Sequence, residues 1–540
     1  MRSRLFQPLP ILALAAAAII ALPVLAVLRE IFRPDTEDVW SHLLETVLAE
    51  YVFNSVVLAL GTGVGAAFLG VGCAWIVAMH RFRGRGVLEW ALLLPLAMPT
   101  YVIAYVYTDL LQFPGPVQTW LRETFMWQRG DYWFPDVRSL PGAIVVFSLV
   151  FYPYVYVLAR AAFLERSGSL MEAARSMGLS ARTAFFRAAL PVARPAVAGG
   201  VALVIMESLA EFGAVSYFGV PTFTTGIYRA WYAFGSPVAA AQLAAALLGL
   251  IALTLMLEKL SRGRARYHET SLRKTLPPQL TTARAFGAWL LCLIPLTGGF
   301  LLPAVLLLRM AASEGDVQFG AKYLELAGNS FTLALIASLA AAVLAVLLAY
   351  ATRLHPGKAM AAIKRAASLG YAVPGTVIAV GALIPLTALD HALILFMREH
   401  YGMTLGLVLT GSALALVFAY VARFLAVALN AVESSMARIR PSIDDAARSL
   451  GATRTSLLAR VHLPMLASGL ASAVLLVFVD VMKELPATIV LRPFNFETLA
   501  TQVYVLASDE RLAEAATPSL AIVAVGLTPV ILLSRAIRRG

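Results

Sequence analysis

The sequence predicts an all-α integral membrane protein of about twelve transmembrane helices, arranged as two six-helix repeats of the same orientation. Three observations predict this fold. Of the 540 residues, 60% are hydrophobic and 14% are charged, whereas about a quarter of the residues of a soluble domain are charged. The apolar residues form long runs, and the second half of the sequence repeats motifs of the first.

The apolar runs have the length of helices that cross the hydrocarbon core of a bilayer, about 18–25 residues. The first run follows Arg4 and resembles a signal peptide, but it extends to Leu28 and leads into Arg29 and Glu30 without a small-residue cleavage site. We therefore interpret it as the first span. The predicted spans lie near residues 9–29, 53–79, 88–111, 140–162, 195–218, 237–257, 285–309, 330–352, 366–388, 403–428, 466–490 and 513–534.

Basic residues predict the orientation of the spans. Arg2 and Arg4 place the N-terminus in the cytoplasm, because cytoplasmic loops are rich in Lys and Arg. When the spans are counted from there, the other strongly basic segments fall on the same side: 80–86, 258–274, 354–365 and the C-terminal SRAIRRG. Both termini are thus expected in the cytoplasm. The net charge of +12 reflects contact with a lipid bilayer and not with nucleic acid.

Matching motifs divide the chain into two halves. NSVVLAL at 54–60 matches NSFTLAL at 329–335, and MPTYVIA at 98–104 matches VPGTVIA at 373–379. Repeats of one orientation are related by an axis along the membrane normal, and a path is expected between them. The predicted parts are a first six-span unit at 1–257, a basic cytoplasmic linker at 258–284 and a second six-span unit at 285–540.

A polar segment occurs once in each half. MEAARSMGLSARTAFFRAALP begins at residue 171, and DDAARSLGATRTSLLARVHLP begins 273 residues later. We name their surroundings the first polar loop (residues 164–194) and the second polar loop (residues 430–465). Two residue pairs have the spacing of a capping box, which predicts the start of a short helix: Ser169 with Glu172, and Ser442 with Asp445.

Each polar loop also carries signals for where its helices end. Gly178 and Gly451 can end the short helix in the left-handed conformation. Ser180 and Thr453 can cap the helix that follows. A Leu-Pro pair is expected to stop that second helix before the next span, at 190–191 and 463–464.

The Glu-Ala-Ala motif followed by glycine and by Leu-Pro resembles the EAA loop of permease subunits of bacterial ABC importers, and the resemblance covers essentially the whole chain. In that family the short helix couples the permease to a cytoplasmic ATPase. The resemblance implies that both polar loops are coupling loops and that the chain lies in the bacterial inner membrane. The matching residues are Glu172, Ala173, Ala174 and Gly178 in the first loop, and Asp445, Ala446, Ala447 and Gly451 in the second. Asp445 departs from the motif, because its side chain is one methylene shorter than that of Glu.

ATP hydrolysis is expected on another subunit. The sequence has no G-x-x-x-x-G-K-[ST] motif, because GKA at 357–359 lacks both the upstream glycine and the hydroxyl residue. The resemblance implies a homodimeric cytoplasmic ABC ATPase that uses the ATP, so no cofactor is expected on this chain. GTGVG at 61–65 lies inside a predicted span, where glycines serve helix packing.

Four acidic residues fall within the predicted spans at matching places of the two halves: Glu207, Glu211, Asp480 and Glu484. The members of each pair are four residues apart, so a continuous helix would place both carboxylates on one face. If the span begins near Pro195, Glu207 lies about 18 Å into the bilayer. An acid there is costly unless it is paired, for example with Lys483, or lines a wet path. The acids either form structural pairs or line a cation path or gate, and no tightly bound metal is expected.

The segments around these acids carry a second resemblance. AEFGAVSYFGVPTFTTGIYRAW at 210–231 and KELPATIVLRPFNFETLATQVY at 483–504 resemble the iron(III) subgroup of fused ABC importer permeases. That resemblance implies import of ferric iron by alternating access, with iron delivered by a periplasmic or surface substrate-binding protein. Fused thiamine permeases share the architecture, so thiamine or another small solute is the alternative. A proton-coupled secondary transporter is less favoured, because such a carrier needs no ATPase-docking loops. A membrane enzyme is not supported by any histidine–carboxylate cluster in the sequence.

The predicted external loop at 112–139 contains three tryptophans. Tryptophans concentrate at membrane–water interfaces, so this loop forms either an aromatic belt or a docking surface for an external partner. The sequence leaves both interpretations open.

Overall fold

The protein is described by a computed structural model that covers residues 8–34, 39–262, 278–313 and 320–539. For residues 165–173, 175, 181, 262 and 533–539 it describes the backbone alone. These covered residues form helices, turns and irregular segments without a strand, apart from an isolated bridge between Arg81 and Gln279. The predicted all-α fold is confirmed.

The first half of the chain contains twelve described α-helices. They are α1 (Pro8–Glu30), α2 (Val39–Thr46), α3 (Leu48–Met79), α4 (Arg85–Ala91), α5 (Thr100–Leu111), α6 (Pro116–Phe125), α7 (Leu140–Ser176), α8 (Ala181–Ala184), α9 (Leu190–Ala210), α10 (Gly213–Tyr217), α11 (Phe223–Tyr232) and α12 (Pro237–Arg262). A 3-10 turn at Leu94–Ala97 follows α4, and a π turn at Phe185–Ala189 joins α8 to α9.

The second half contains another twelve in its described part. They are α13 (Thr282–Leu296), α14 (Leu302–Ser313), α15 (Ala321–Leu354), α16 (Lys358–Ala367), α17 (Gly375–Tyr401), α18 (Ala413–Met436), α19 (Pro441–Ser449), α20 (Arg454–Leu457), α21 (Leu463–Met482), α22 (Pro486–Leu491), α23 (Leu499–Ser508) and α24 (Leu512–Arg539). Turns of π type occur at Thr297–Leu301 and Leu458–His462, and a 3-10 turn occurs at Leu369–Ala372. Most of the predicted linker, residues 263–277, lies outside the described residues.

Among the described residues, eleven helical segments are long and apolar enough to cross a membrane, and a twelfth is bent. Each predicted span has its counterpart among them, so the chain is a multi-pass membrane protein. The predicted span near 88–111 is the bent one, because Arg85–Ala97 and Thr100–Phe125 meet at 91°. Pro99 stands at the break. Proline lacks an N–H donor and disfavours the helical conformation of the residue before it, here Met98, which is extended.

The chain folds into two compact units that differ from the two sequence halves. The first comprises Met1–Trp40, Ile227–Ala246 and Phe319–Gln502. The second comprises Ser41–Gly226, Leu247–Gln318 and Val503–Gly540. Each compact unit therefore contains helices from both halves of the sequence. The two permease units predicted at 1–257 and 285–540 describe the sequence repeat and stay a prediction.

Within the first unit, α1 packs against α16 and α17 of the second half of the sequence. Gly381 of α17 approaches the carbonyl of Pro23 so closely that a Cβ at this position would collide with it. Small residues permit such close helix contacts in membranes, where packing drives association. Glycine at 381 thus allows α1 to lie directly against α17.

Within the second unit, the same kind of contact joins the last helix to the first half of the sequence. Gly526 of α24 faces the backbone of Ala97, and Gly299 faces the carbonyl of Leu149 in α7. A side chain at either glycine would meet main-chain atoms. Helix α1, from the first half of the sequence, therefore packs in a unit made mostly of the second half, and α24, from the second half, packs in a unit made mostly of the first.

Candidate functional site

The glycines of the two polar loops end their helices as predicted. Gly178 has φ of 83° and Gly451 has φ of 82°, both in the left-handed region. The N–H of Leu179 donates to the carbonyl of Ala174 at 3.1 Å, and that of Ala452 donates to the carbonyl of Ala447 at 3.0 Å. These bonds satisfy carbonyls that a helix end otherwise leaves open. The predicted left-handed ends at both glycines are confirmed.

The predicted capping boxes are wrong as helix starts. Helix α7 runs from Leu140 to Ser176 without a break, so Ser169 lies inside a helix. An N-cap residue must have a non-helical backbone, which a residue inside a continuous helix does not have. In the second loop α19 begins at Pro441, one residue before Ser442, with Arg440 in extended conformation before it. Proline is favoured at the first helical position, since no N–H is needed there.

The helix after each glycine is capped as predicted. The hydroxyl of Ser180 accepts from the N–H of Thr183 at 3.2 Å, and the hydroxyl of Thr453 accepts from the N–H of Ser456 at 3.2 Å. The caps fix where the helix after the left-handed glycine begins. The two loops therefore share this local geometry.

The Leu-Pro pairs do not stop the following helix, so that prediction is wrong. A single continuous span runs from Arg182 to Ala210, and another runs from Arg454 to Met482. Each contains a π turn immediately before the Leu-Pro pair, at Phe185–Ala189 and Leu458–His462. Proline in a regular helix loses one hydrogen bond and collides with the carbonyl of the preceding turn. The wider π turn accommodates both effects, so the helix continues.

The predicted docking residues occupy different environments. Ala174 is buried, whereas Gly178, Asp445, Ala446 and Gly451 are exposed and Ala447 is half-buried. The side chain of Asp445 is 76% exposed and lies 3.8 Å from Arg448. The side chains of Glu172 and Ala173 lie outside the described residues.

Two apolar side chains at the tips of the loops were missed by sequence reasoning. Met177 is 74% exposed and Leu450 is 89% exposed, and each stands immediately before the left-handed glycine. Large exposed apolar residues at matching places suit contact with a partner protein. The signal was present in the sequence, since both loops have an apolar residue before the glycine of a polar segment.

A buried ionic cluster in the second polar loop was also missed. Asp444, next to the predicted Asp445, is 5% exposed. Its carboxylate accepts from Arg353 Nε at 2.7 Å, from Arg353 Nη2 at 3.0 Å and from His462 Nε2 at 2.8 Å. Burial opposes ionisation of Asp444, but the hydrogen bonds from Arg353 and His462 outweigh it and lower the pKa of the carboxyl below its ordinary value. We name Arg353, Asp444 and His462 the Asp444 cluster.

Two of the four intramembrane acids, Glu211 and Glu484, lie where helices break. Helix α9 ends at Ala210 and α10 starts at Gly213, so Glu211 stands between them. In the other half α21 ends at Met482 and α22 starts at Pro486, with Glu484 between them. The expectation that each pair of acids shares one face of a continuous helix is therefore wrong. Proline at 486 cannot continue the hydrogen bonds of α21, and glycine holds the matching place in the first half.

Glu211 and Glu484 each cap the helix that follows the break. The Glu211 carboxylate accepts from the N–H of Ala214 at 3.0 Å, and that of Glu484 accepts from the N–H of Ala487 at 3.0 Å. A carboxylate at a helix start satisfies an open N–H and interacts well with the helix dipole. Both acids thus have a structural task at the break.

The two acids differ in their other partners. Glu211 accepts from the hydroxyl of Thr100 at 2.6 Å. Glu484 pairs with Arg423 at 2.5 Å, and a Cβ at Gly375 would collide with both of these side chains. Thr100 and Gly375 occupy the same place in the repeated motif. The missing side chain at Gly375 makes room for the arginine in the second half.

The remaining two acids are more accessible. Asp480 lies 3.0 Å from Lys483 and is about one-quarter exposed, so the predicted pair with that lysine is present. Glu207 on α9 is half-buried. In the described part of the chain, no three His, Cys, Asp or Glu side chains are grouped so that they could hold a metal ion.

The segment 112–139 is partly ordered by arginine. Helix α6 forms at Pro116–Phe125, and Arg122 stacks on Phe113 at 4.1 Å from the ring centroid. Arg122 also donates to the carbonyl of Phe113 at 2.8 Å. Trp133 remains 85% exposed. An aromatic belt and a docking surface both stay compatible with this arrangement.

Comparisons with known proteins relate the chain to transport permeases. A sequence model described as "Binding-protein-dependent transport system inner membrane component" matches residues 66–266. The Fe(3+)-transport system permease protein FbpB 2 of Haemophilus influenzae is 27% identical over 498 residues, which cover 90% of each chain. The molybdenum transport system permease protein ModB of the same organism is 30% identical over 205 residues, 37% of this chain and 86% of ModB. The sulfate transport system permease protein CysT of Escherichia coli is 27% identical over 208 residues, 37% of this chain and 69% of CysT.

Proposed function

Because this chain belongs to the binding-protein-dependent transport system inner membrane components, as a fusion of two ABC transporter permease units, we propose that it imports ferric iron into the cytoplasm. The observation that carries the proposal is the extent of similarity to FbpB 2, which covers 90% of both chains. The molybdenum and sulfate permeases are similar over 37% of this chain. FbpB 2, whose name refers to Fe(3+) transport, is similar along both halves of the chain.

The chemistry of the intramembrane acids supports a cationic cargo. Ferric iron is a hard cation that prefers oxygen ligands, whereas carboxylates repel oxyanions such as sulfate and molybdate. We assign the path or gate to Glu207, Glu211, Asp480 and Glu484. Glu211 and Glu484 stand at helix breaks, where irregular backbone in a membrane protein commonly lines a cavity. Their contacts with iron would be transient, because a path must release its cargo.

A substrate-binding protein and an ATPase are the partners that this family implies. In our proposal the ATPase is a cytoplasmic homodimer that hydrolyses ATP and docks on both polar loops, and the permease itself binds no cofactor. Glu172, Ala173, Ala174 and Gly178 contribute to one dock, and Asp445, Ala446, Ala447 and Gly451 contribute to the other. The exposed Met177 supplies an apolar contact at the first docking site, and the exposed Leu450 supplies one at the second.

Transport in this proposal proceeds by alternating access. The binding protein delivers iron at the periplasmic face, and closure of the ATPase moves the two polar loops. The spans connected to them then open the path first outward and afterwards inward. Both termini lie in the cytoplasm of the bacterial cell, in agreement with the positive-inside rule.

The test is uptake by the full complex in proteoliposomes that contain this chain, its ATPase and its binding protein. We expect uptake of radiolabelled iron that requires both ATP and the binding protein. Parallel assays with radiolabelled thiamine, sulfate and molybdate identify a different cargo. A protonophore is the control, because an ATP-driven importer keeps its activity when the proton gradient collapses.

Two results would contradict the proposal. Uptake of thiamine or of an oxyanion in place of iron would show that the proposed substrate is wrong, while the assignment as an ATP-driven importer would stand. Uptake that proceeds without ATP and stops with the protonophore would replace the importer by a secondary transporter.

A further inference from the structure

The two polar loops are joined to their spans in different ways. In the second polar loop the Asp444 cluster connects three elements: Arg353 lies near the end of α15, Asp444 lies in α19, and His462 is the last residue of the π turn before α21. His462 is fully buried, and the side chains of Asp444 and Arg353 are 8% and 15% exposed. This cluster therefore links the candidate docking helix to two spans through buried contacts.

Arg353 also holds the turn between α18 and α19. Its Nη1 donates to the carbonyl of Met436 at 3.0 Å, and its Nη2 donates to the carbonyl of Ile439 at 3.0 Å. The rigid guanidinium fork thus bonds the carboxylate and two main-chain carbonyls at once. Arg353 therefore holds both α19 and the segment that leads into it.

A further contact fixes the chain that leaves the glycine. The Tyr350 hydroxyl donates to the carbonyl of Arg454 at 2.6 Å, and its ring packs edge-to-face on His462. Tyr350 lies one helical turn before Arg353 in α15. The end of α15 therefore holds both sides of the second polar loop.

The three residues of the Asp444 cluster are not repeated at the matching positions of the first half. The repeat offsets place Ala78 opposite Arg353, Met171 opposite Asp444 and Ala189 opposite His462. None of these three residues can form an ion pair or donate a side-chain hydrogen bond. The positions that match the cluster in the sequence repeat thus do not preserve it, although the left-handed glycine and the hydroxyl cap are common to both loops.

We infer that Arg353, Asp444 and His462 are positioning residues that make α19 move as one body with α15 and α21, so that the second polar loop transmits the movement of the ATPase to both spans. This inference rests on the proposed ATP-driven import. Removal of one partner from a buried, hydrogen-bonded charge pair strongly destabilises the folded protein. The intact pair therefore holds the connected helices in one arrangement. A displacement of α19 is therefore passed on to both spans.

The experiment compares variants of the full complex in proteoliposomes and measures iron taken up per ATP hydrolysed. Asp444→Asn keeps the size of the side chain but removes its charge. We expect the variant to assemble with the ATPase and to hydrolyse ATP, while uptake per ATP falls by about fivefold or more, the lower range of allosteric coupling. Asp444→Glu, which keeps the carboxylate, should restore much of the ratio.

The matched control is Lys364→Gln, in α16 and outside the second polar loop. It breaks the pair between Lys364 and Glu433, which lies in the same compact unit but is about one-third exposed. Uptake per ATP should stay at the wild-type value in this control. If the control loses coupling as much as Asp444→Asn does, the effect is general loosening and the inference is wrong.

A second variant decides the matter if Asp444→Asn does not assemble. His462→Gln keeps a donor near the carboxylate but removes the ring, and a lower uptake per ATP in the assembled complex supports the inference. Wild-type ratios in His462→Gln, or in assembled Asp444→Asn, would overturn it. Failure of the wild-type complex to couple ATP to uptake would instead overturn the proposed function, so the two failures are distinguishable.

Discussion

Single residues decide how the two halves of this protein differ in chemistry. Thr100 places a hydroxyl on Glu211, whereas glycine at the matching position 375 leaves room for Arg423 to pair with Glu484. The acids themselves were predictable, because charged residues inside apolar runs are conspicuous. Their partners were not, because Arg423 is 61 residues from Glu484 in the sequence and meets it through the packing of α18.

Removal of the buried acid in the second half tests this pairing. Glu484→Gln leaves Arg423 without its countercharge in a buried place, which is expected to destabilise the protein by about 3 kcal/mol. Asp480→Asn is the matched control, because its pair with Lys483, one-quarter to one-third exposed, is expected to contribute about 1 kcal/mol or less. The measurement is the thermal unfolding midpoint in detergent. Equal shifts of the midpoint in the two variants would show that the pair of Glu484 and Arg423 contributes no more to stability than the pair of Asp480 and Lys483.

At the scale of the element, the turns at the two loop glycines were predictable, whereas the capping-box starts and the Leu-Pro stops were predicted wrongly. The left-handed glycines and the hydroxyl caps depend on a few adjacent residues, so the sequence specifies them. The capping-box spacing at Ser169 is equally local, yet α7 continues through it to Ser176. Four residues with the right spacing cannot end a helix whose neighbouring turns also favour helix. Likewise, the π turns cancel the stop signal of the Leu-Pro pairs.

The left-handed glycine of the second polar loop provides a test at this scale. Gly451→Val forces a β-branched residue to φ near 82°, which costs about 1–2 kcal/mol and is expected to disturb the loop and reduce ATP-driven uptake. No neighbouring atom would meet a Cβ at this place, so backbone strain is the cause. Gly451→Asn is the control, because asparagine tolerates the left-handed region. Full transport in the valine variant would argue against a docking role for this turn.

At the scale of the whole molecule, the compact units draw helices from both sequence halves. Helix α1 packs on α17 within the first unit, and α24 lies on the backbone of Ala97 within the second. The contacts are made by glycines, which carry no periodic signal that could identify their partner. Sequence reasoning therefore found the spans and the repeat but not which spans pack together.

A substitution in the contact between α1 and α17 tests this arrangement. Gly381→Val places a branched side chain against the Pro23 carbonyl, and such overpacking is expected to cost about 1–3 kcal/mol. Gly328→Val in α15 is the matched control, because a Cβ there meets open space. The two variants are compared by their thermal unfolding midpoints in detergent. A midpoint for Gly381→Val at or above that of the control would contradict the contact.

The sequence by itself determined the membrane spans, the repeat, the resemblance to importer permeases and the left-handed turns of the polar loops. These features depend on composition, on spacing along the chain or on a few adjacent residues, all of which can be read without coordinates. Only the tertiary structure decided that Asp444 is buried by Arg353 and His462, that Glu211 and Glu484 stand at helix breaks, and that each compact unit contains helices of both sequence halves. Each of these results depends on contacts between residues far apart in sequence, whose free energies appear only when the helices pack.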